Sequence, residues 1–517
     1  MLLIDGKSLT IQDVYNIAYL YEKTALSEEA KYSISNSYDR LLKVIEKNKP
    51  VYGINTGFGI FANKTISLQD SKKLNRNLVL SHAVGTGKPL SKEIVRAALL
   101  IRANALAKGF SGIRMEIIET LISMLNFDVI PHVLDKGSLG SSGDLCMLAQ
   151  VAMVLSKDES DPEGESGQAF YSGQILPGHT AMKNSGLERL VLIHKDGLAL
   201  INGATFSAAI LTLCAGDMRF LCDLSDAAVS LSLEALLGRS DAFHPELHKA
   251  RGLEGQIESA SKILSFICGS TMVDSHEHVQ DAYSLRCAPQ VHGAARDTLR
   301  SAEEVIWREI NAATDNPLII DDDLIISGGN FHGEPLGMFA DYMTIALSEL
   351  AAISERRIFR LLDSSLNYGL AQMLVDDQKV EGLNSGIMML QYTAAALVLE
   401  NQTLATPDSI HSLPTSANQE DHNANAYLAA FHARQVVDNV FKILAIELFT
   451  ACRAIEQRMM KNDKFQLGKT TSALFELIRE ICPYNAEDKA WGCEIDKLHQ
   501  LITNDVEFRN KLTDCIN

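Results

Sequence analysis

DHNANAYLAAFHARQVVDNVFKILAIELFTACRAIEQRMMKNDKFQ, running from Asp421 to Gln466, contains no glycine and no proline. It is rich in Ala, Leu, Ile, Phe and Glu, so nothing in it interrupts an i to i−4 hydrogen-bond ladder. It reads as one very long helix or two nearly continuous ones. Two further stretches share this character. From Pro335 to Tyr368 the only interruption is Gly337, and apolar residues recur at helical spacing at Leu336, Phe339, Met343, Leu347, Leu350, Ile353, Ile358 and Leu361. Gly386 to Leu404 stops at Thr406-Pro407, where the residue before proline is pushed out of the helical region. Helices this long, apolar on more than one side, do not suit a surface. They predict a mainly α fold with a long-helix central bundle, and the excess apolar faces suggest packing between subunits.

The first two hundred residues differ. Glycine-rich segments at Tyr52 to Gly59, Gly85 to Leu90, Gly109 to Gly112 and Gly137 to Gly143 punctuate shorter helices. With 517 residues the chain is too long for one simple core. We expect a loop-rich N-terminal domain over 1–205, the bundle over 206–475 and a helical C-terminal segment over 476–517. A formal charge of −18 argues against a protein that grips phosphate backbones, so no nucleic-acid partner is expected. The nine cysteines are irregularly spaced and form no C-x-x-C pair, which suits reduced thiols. Charges at Asp5 and Lys7 fall where a signal peptide would be apolar, and no uninterrupted apolar run approaches the roughly 18 residues of a bilayer span. These features predict a cytoplasmic protein without a membrane partner.

Chemistry concentrates at Lys136-Gly137-Ser138-Leu139-Gly140-Ser141-Ser142-Gly143-Asp144-Leu145. One reading is a loop in which Ser142 or Asp144 caps a helix through Met147, Leu148 and Val151. A second is an anion nest of loop amides, although the Lys-Ser/Thr ending of a phosphate loop is missing. The third is covalent: the unhindered nitrogen of Gly143 attacks the Ser141 carbonyl, and Ser142 loses water to leave an exocyclic alkene.

Other segments supply context: Val51-Tyr52-Gly53-Ile54-Asn55-Thr56-Gly57-Phe58-Gly59, Ser81-His82-Ala83-Val84-Gly85, Gln280-Asp281-Ala282-Tyr283-Ser284-Leu285-Arg286-Cys287 and Ser412-Leu413-Pro414-Thr415-Ser416-Ala417-Asn418-Gln419-Glu420-Asp421. Thr314-Asp315-Asn316-Pro317 and Gly328-Gly329-Asn330-Phe331-His332-Gly333-Glu334-Pro335 belong to the same set. Together, over nearly the whole chain, they resemble the aromatic amino-acid lyase family, and within it the histidine ammonia-lyase branch. The resemblance implies a mostly helical homotetramer whose active sites draw on more than one subunit. It also implies a methylidene-imidazolone prosthetic group, made from Ser141, Ser142 and Gly143, and an amino acid as the small-molecule substrate.

The resemblance further implies roles. Tyr52 is the expected base for the β-hydrogen, and a phenol needs neighbours that favour the phenolate to serve so. Arg286 is expected to clamp the substrate carboxylate with paired donors. Tyr283 and Asn202 match residues that stabilise the electrophile and departing amine, and Met388 is placed among the substrate-binding residues. His82 stands where ring types are distinguished, and Glu420 matches a carboxylate that faces the imidazole or assists proton transfer. Asp144, Gln280, Asn316 and Phe331 look like support for the prosthetic group. No metal is expected: His276-Glu277-His278 offers ligand types, but its histidines point apart on a helix.

The sequence departs from the family pattern at several of these places. Ser141 replaces the usual Ala, Gln150 a usual His, Ala204 a usual Thr and Ala282 a common Pro, and Asn423-Ala424-Asn425 follows Glu420-Asp421-His422 where the family is more apolar. The expected reaction is elimination of ammonia from histidine to give urocanate. An alternative is an ergothionase-type elimination of trimethylamine from ergothioneine, which needs no prosthetic ring because a quaternary ammonium already leaves well. A non-catalytic structural relative is a further alternative, against which Tyr52, Tyr283, Arg286 and Glu420 together argue.

Overall fold

The computed structural model describes residues 1–47, 50–57, 63–67, 70–141, 143–376 and 382–516. Ser142, Phe58 and Gly59, on which sequence expectations fell, lie outside the described residues. Among the described residues the fold is mainly α, with nineteen α-helices and nine short strands.

The glycine- and proline-free runs become the long helices. Ala426–Lys461 is a single helix of 36 residues. It starts later than the composition predicts because the preceding residues spend their polar groups on a loop. Asn425 has φ of +49°, its side chain donates to the His411 carbonyl, and the Asn423 side chain donates to the Leu413 carbonyl. Asn side chains compete in this way with helical backbone bonding. Glu334–Leu362 ends before Tyr368 for a similar reason. Asp363 Oδ1 accepts from Ser365 N, and Asn367 both donates to the Leu361 carbonyl and accepts from Leu370 N. Met388–Leu404 forms as its composition predicts. Thr205–Ala235 and Glu334–Leu362 are long and apolar enough to cross a membrane by length and composition, with 89% and 61% of their most apolar windows buried inside the protein. Scattered polar residues hide such windows from a search for uninterrupted apolar runs.

The chain divides into two compact units. Unit 1 comprises Met1–Gly216, Ala302–Asp341 and Pro407–Phe431, and unit 2 comprises Asp217–Ser301, Tyr342–Thr406 and His432–Asn517. In unit 1 the helix Lys92–Ala107 is buried along every position from Ile94 to Ala107. That burial includes Arg96, whose Nε and Nη2 donate to the Ile17 carbonyl. Leu41, Val44, Ile45, Ile54 and Ile319 form an apolar cluster behind the Tyr52 turn. Unit 2 carries its own buried ion pair: Glu447 accepts from Arg357 Nε and Nη2, and from the hydroxyls of Ser232 and Ser354.

Short strands in unit 1 bring its loops together. Thr86–Pro89 pairs antiparallel with Leu134–Lys136, which sets the His82–Gly85 connection beside the Gly137 loop. Leu318–Ile319 pairs with Ile325–Ile326, so the chain leaves this hairpin directly into Ser327–Phe331.

Candidate active site

Tyr52 sits on a turn fixed from both sides. Asn55 Oδ1 accepts from Val51 N at 2.7 Å, and Ile66 N donates to the Asn55 carbonyl at 2.9 Å. Gly53 follows with φ of +71°, and a Cβ there would lie 2.4 Å from Leu198 Cδ2. The left-handed backbone favours glycine there, and a Cβ would also displace the Leu198 side chain.

His82 ends the helix Ser71–His82. Its Nδ1 lies 2.8 Å from the Leu78 carbonyl, which can only accept, so Nδ1 carries the proton and donates. In the neutral ring Nε2 is then an acceptor, suited to an N–H of a ligand.

Asn202 follows the helix Asp196–Ile201 and is 4% exposed. Its Nδ2 donates to Asp315 Oδ1 at 3.1 Å and to the Asn316 carbonyl at 3.4 Å, which leaves Oδ1 as the acceptor end of the amide. Asp315 is paired with Lys195, and both side chains are buried. Burial pushes the Asp315 carboxyl up, but the charges of Lys195 and Arg102 outweigh this and hold it below the usual carboxylate range. Arg102 donates to the carbonyls of Asn202 and Thr314, and burial brings its guanidinium down to about 10. The sequence reading missed Lys195, Arg102 and Asp315 as a network. Asp315 was in view as part of a motif, but its bond to Lys195 spans 120 residues, and no local spacing signals it.

The loop around Ser141 is built on close backbone approach. Gly143 pairs with Gly203, and Asp144 N donates to the Gly203 carbonyl at 3.0 Å. A Cβ on Gly143 would meet the N, C and O of Gly203 at 2.2 to 2.4 Å. The Asp144 side chain does not cap its own helix, contrary to the simplest sequence reading. It accepts instead from Ser138 Oγ at 2.6 Å and from Ser207 N at 2.8 Å, tying the loop to the start of the helix Thr205–Ala235. Burial raises the Asp144 carboxyl, and the bonds from Ser138 and Ser207 hold it down only in part. Ser138 and Ser207 were not singled out from sequence either.

Glu420 lies on a tight excursion in which Ser416, Ala417 and Asn418 all have positive φ. An isolated bridge joins Thr415 and Glu420, and Thr415 Oγ1 donates to Glu420 Oε2 at 2.9 Å. Asn316 Oδ1 accepts from Gly328 N at 2.7 Å and so fixes the start of the Phe331 loop.

These segments enclose one cavity of about 1270 Å³. Tyr52, His82, Ser141, Asn202, Asn316, Phe331 and Glu420 line it, together with Asn77, His332, Asp421 and His422, which sequence reading had not assigned. Gln280, Tyr283, Arg286 and Met388 belong to unit 2. There Tyr283 is 70% exposed, the Arg286 guanidinium lies 4.7 Å from its ring centroid, and Arg286 Nε has no hydrogen-bond acceptor among the described residues. His276 and His278 pack on Tyr368, and His278 Nε2 lies 2.8 Å from Asp281 Oδ1.

Several departures from the family pattern meet in space. Ala424 N donates to Ser141 Oγ at 2.8 Å. Glycine at 333 lets the chain approach the Gly140 carbonyl, Ala426 and Ala204, which a Cβ would meet at 2.6 to 3.0 Å. Gln150 lies beneath the neighbouring loop, where Oε1 accepts from Leu134 N at 3.0 Å. Ala282, in unit 2, precedes the short helix Tyr283–Arg286.

The description "aromatic amino acid lyase" belongs to the family model that matches residues 9–480. The chain is 46% identical over 502 residues to a histidine ammonia-lyase of Caldanaerobacter subterraneus subsp. tengcongensis, covering 96% of each chain. The crystal structure of histidine ammonia-lyase from Trypanosoma cruzi is similar at a TM-score of 0.89 and 33% identity, over 100% of this chain and 96% of that one. Ergothionase from Treponema denticola, an ergothioneine-degrading enzyme, is similar at a TM-score of 0.89 and 29% identity, over 100% and 99%.

Proposed function

This chain belongs to the aromatic amino acid lyase family, and on that footing we propose that it is a carbon–nitrogen lyase that eliminates ammonia from L-histidine to give urocanate. The observation that carries the reading is the unit 1 cavity, where Tyr52, His82, Asn202 and Glu420 converge beside Ser141 from distant parts of the chain.

In the elimination the β-carbon loses a proton, the Cα–N bond breaks and a carbon–carbon double bond forms. Tyr52 Oη is the proposed acceptor of the β-proton. The His82 ring, with Nδ1–H committed to Leu78, offers Nε2 to an imidazole N–H of the substrate. Asn202, with Nδ2 committed to Asp315, offers Oδ1 to the ammonium group. Glu420 faces the ring or moves a proton to it. Asp144 holds the Ser141 loop in place from below.

The fit of a methylidene-imidazolone is supported by Gly143, where no side chain fits and where glycine brings no Cβ of its own to hinder its nitrogen. Ser141, Ser142 and Gly143 would form the group, with Asp144, Asn316 and Phe331 supporting it. It supplies a strong electrophile, which ordinary side chains lack. The proposal includes a cytoplasmic homotetramer with shared active sites, in which Gln280, Tyr283, Arg286 and Met388 serve as another subunit's contribution and Arg286 binds the substrate carboxylate.

Incubation of the purified protein with L-histidine tests the reading. Release of urocanate and ammonia in equal amounts is expected. Inertness towards histidine, with trimethylamine released from ergothioneine, would overturn it in favour of the ergothionase-type reaction.

A further inference from the structure

Three loops of unit 1 meet beside the cavity, and each pair is joined by a hydrogen bond. Gly333 N donates to the Gly140 carbonyl at 2.9 Å. His332 Nε2 donates to the His422 carbonyl at 3.1 Å, while its Nδ1 accepts from Glu334 N at 3.3 Å. Ala424 N donates to Ser141 Oγ at 2.8 Å. The first of these bonds is backbone to backbone. The third depends wholly on a hydroxyl that an alanine at position 141 would not provide.

We propose that Ser141 is a positioning residue for Glu420, acting through the Ala424 amide. Ser141 is 4% exposed and Ala424 fully buried, so water does not readily replace the bond. The hydroxyl donates its own proton to the Leu139 carbonyl at 3.3 Å while it accepts from Ala424. Ala424 lies four residues beyond Glu420. Between them Asn423 N donates to Ser412 Oγ at 2.7 Å and the Asn423 side chain donates to the Leu413 carbonyl. Movement at Ala424 is thereby passed to both ends of the excursion that carries Glu420. Ring closure would use the Ser141 carbonyl and not its Oγ, so the tie is independent of cyclisation. This inference rests on the reading that Glu420 acts on the substrate in this cavity.

The test compares Ser141→Ala, Ser141→Thr and Ser141→Val, the last two nearly equal in shape but only Thr retaining a hydroxyl. Ser141→Ala and Ser141→Val should each fall about tenfold below Ser141→Thr in kcat/KM for histidine, the scale of one net hydrogen bond. Intact masses should keep the same deficit as wild type, so that ring formation is not what changed. In a double-mutant cycle Ser141→Ala should add little to Glu420→Gln. Hydrogen exchange at the Ala424 amide should rise in the Ala and Val variants only.

Equal loss in Thr and Val, additivity with Glu420→Gln, or unchanged exchange at Ala424 would each overturn the inference. A wild-type protein that forms no urocanate would sink the histidine reading itself. Exchange at Ala424 would then still report whether the tie exists.

Discussion

The floor of the cavity at Asn202 rests on an ion network closed to water, in which Arg102, Lys195 and Asp315 are each at most 2% exposed. The wall beside Ser141 is held differently, by single neutral hydrogen bonds between the loops at Gly140, Gly333 and Ala424. A buried charge left without its counterpart is far more costly than a lost neutral bond. The floor is thus set once by folding, whereas the wall is adjustable at small cost. Of the departures from the family pattern, Ser141, Ala204 and Asn423 to Asn425 fall next to the wall, and Gln150 and Ala282 lie elsewhere. Position of Asn202 and position of Glu420 should accordingly respond to mutation on different energy scales.

Asp315→Asn breaks the floor and carries the largest expected effect. It strands the Lys195 ammonium, for a loss of about 3–5 kcal/mol seen as a lower unfolding midpoint. The acid dependence gives the same test a second arm. Asp315 is held below the usual carboxylate range, so its stabilisation is fully present above about pH 4 and is lost as pH falls through its folded value. Wild type should lose stability on that acid side, and Asp315→Asn should have less of that loss. Equal midpoints for the two proteins at neutral pH would refute the contrast between floor and wall.

Gly143→Ala lies where floor and wall meet, against Gly203. The added Cβ has no room at 2.2 to 2.4 Å from backbone atoms, and φ is +80°. A loss of about 1–3 kcal/mol is expected, with no mass deficit and no turnover. A stable variant that still carries the deficit would show that the close approach is not needed. His332→Ala removes one wall bond and should cost about 1 kcal/mol, read from thermal unfolding, with a modest fall in kcat. An effect as large as that of Asp315→Asn would erase the distinction.

Much of this architecture is legible in the sequence. A helix is announced by what is missing from it, and the absence of Gly and Pro between Asp421 and Gln466 was enough to foresee Ala426–Lys461. Its start was not legible, because it depends on Asn423 and Asn425 bonding back to Leu413 and His411. The unit 1 cavity gathers Tyr52, His82, Asn202 and Glu420, which the family resemblance had singled out. What spacing does not reveal is which side-chain end faces a ligand. For His82 and Asn202 that follows only from the bonds to Leu78 and Asp315. The long-range pairs, Lys195 with Asp315 and Ser141 with Ala424, likewise required the fold. The departures could be collected from the sequence, but their contact at Gly140 and Gly333 could not.

The intact mass of the purified protein, with fragmentation across the Gly137 to Asp144 peptide, tests most directly whether the loop at the wall is the lyase electrophile. The expected mass is lower than the encoded one by two waters, localised to Ser141-Ser142-Gly143. An unmodified mass in a protein that still turns over would contradict it and leave the elimination of an already quaternary amine as the reaction of this site.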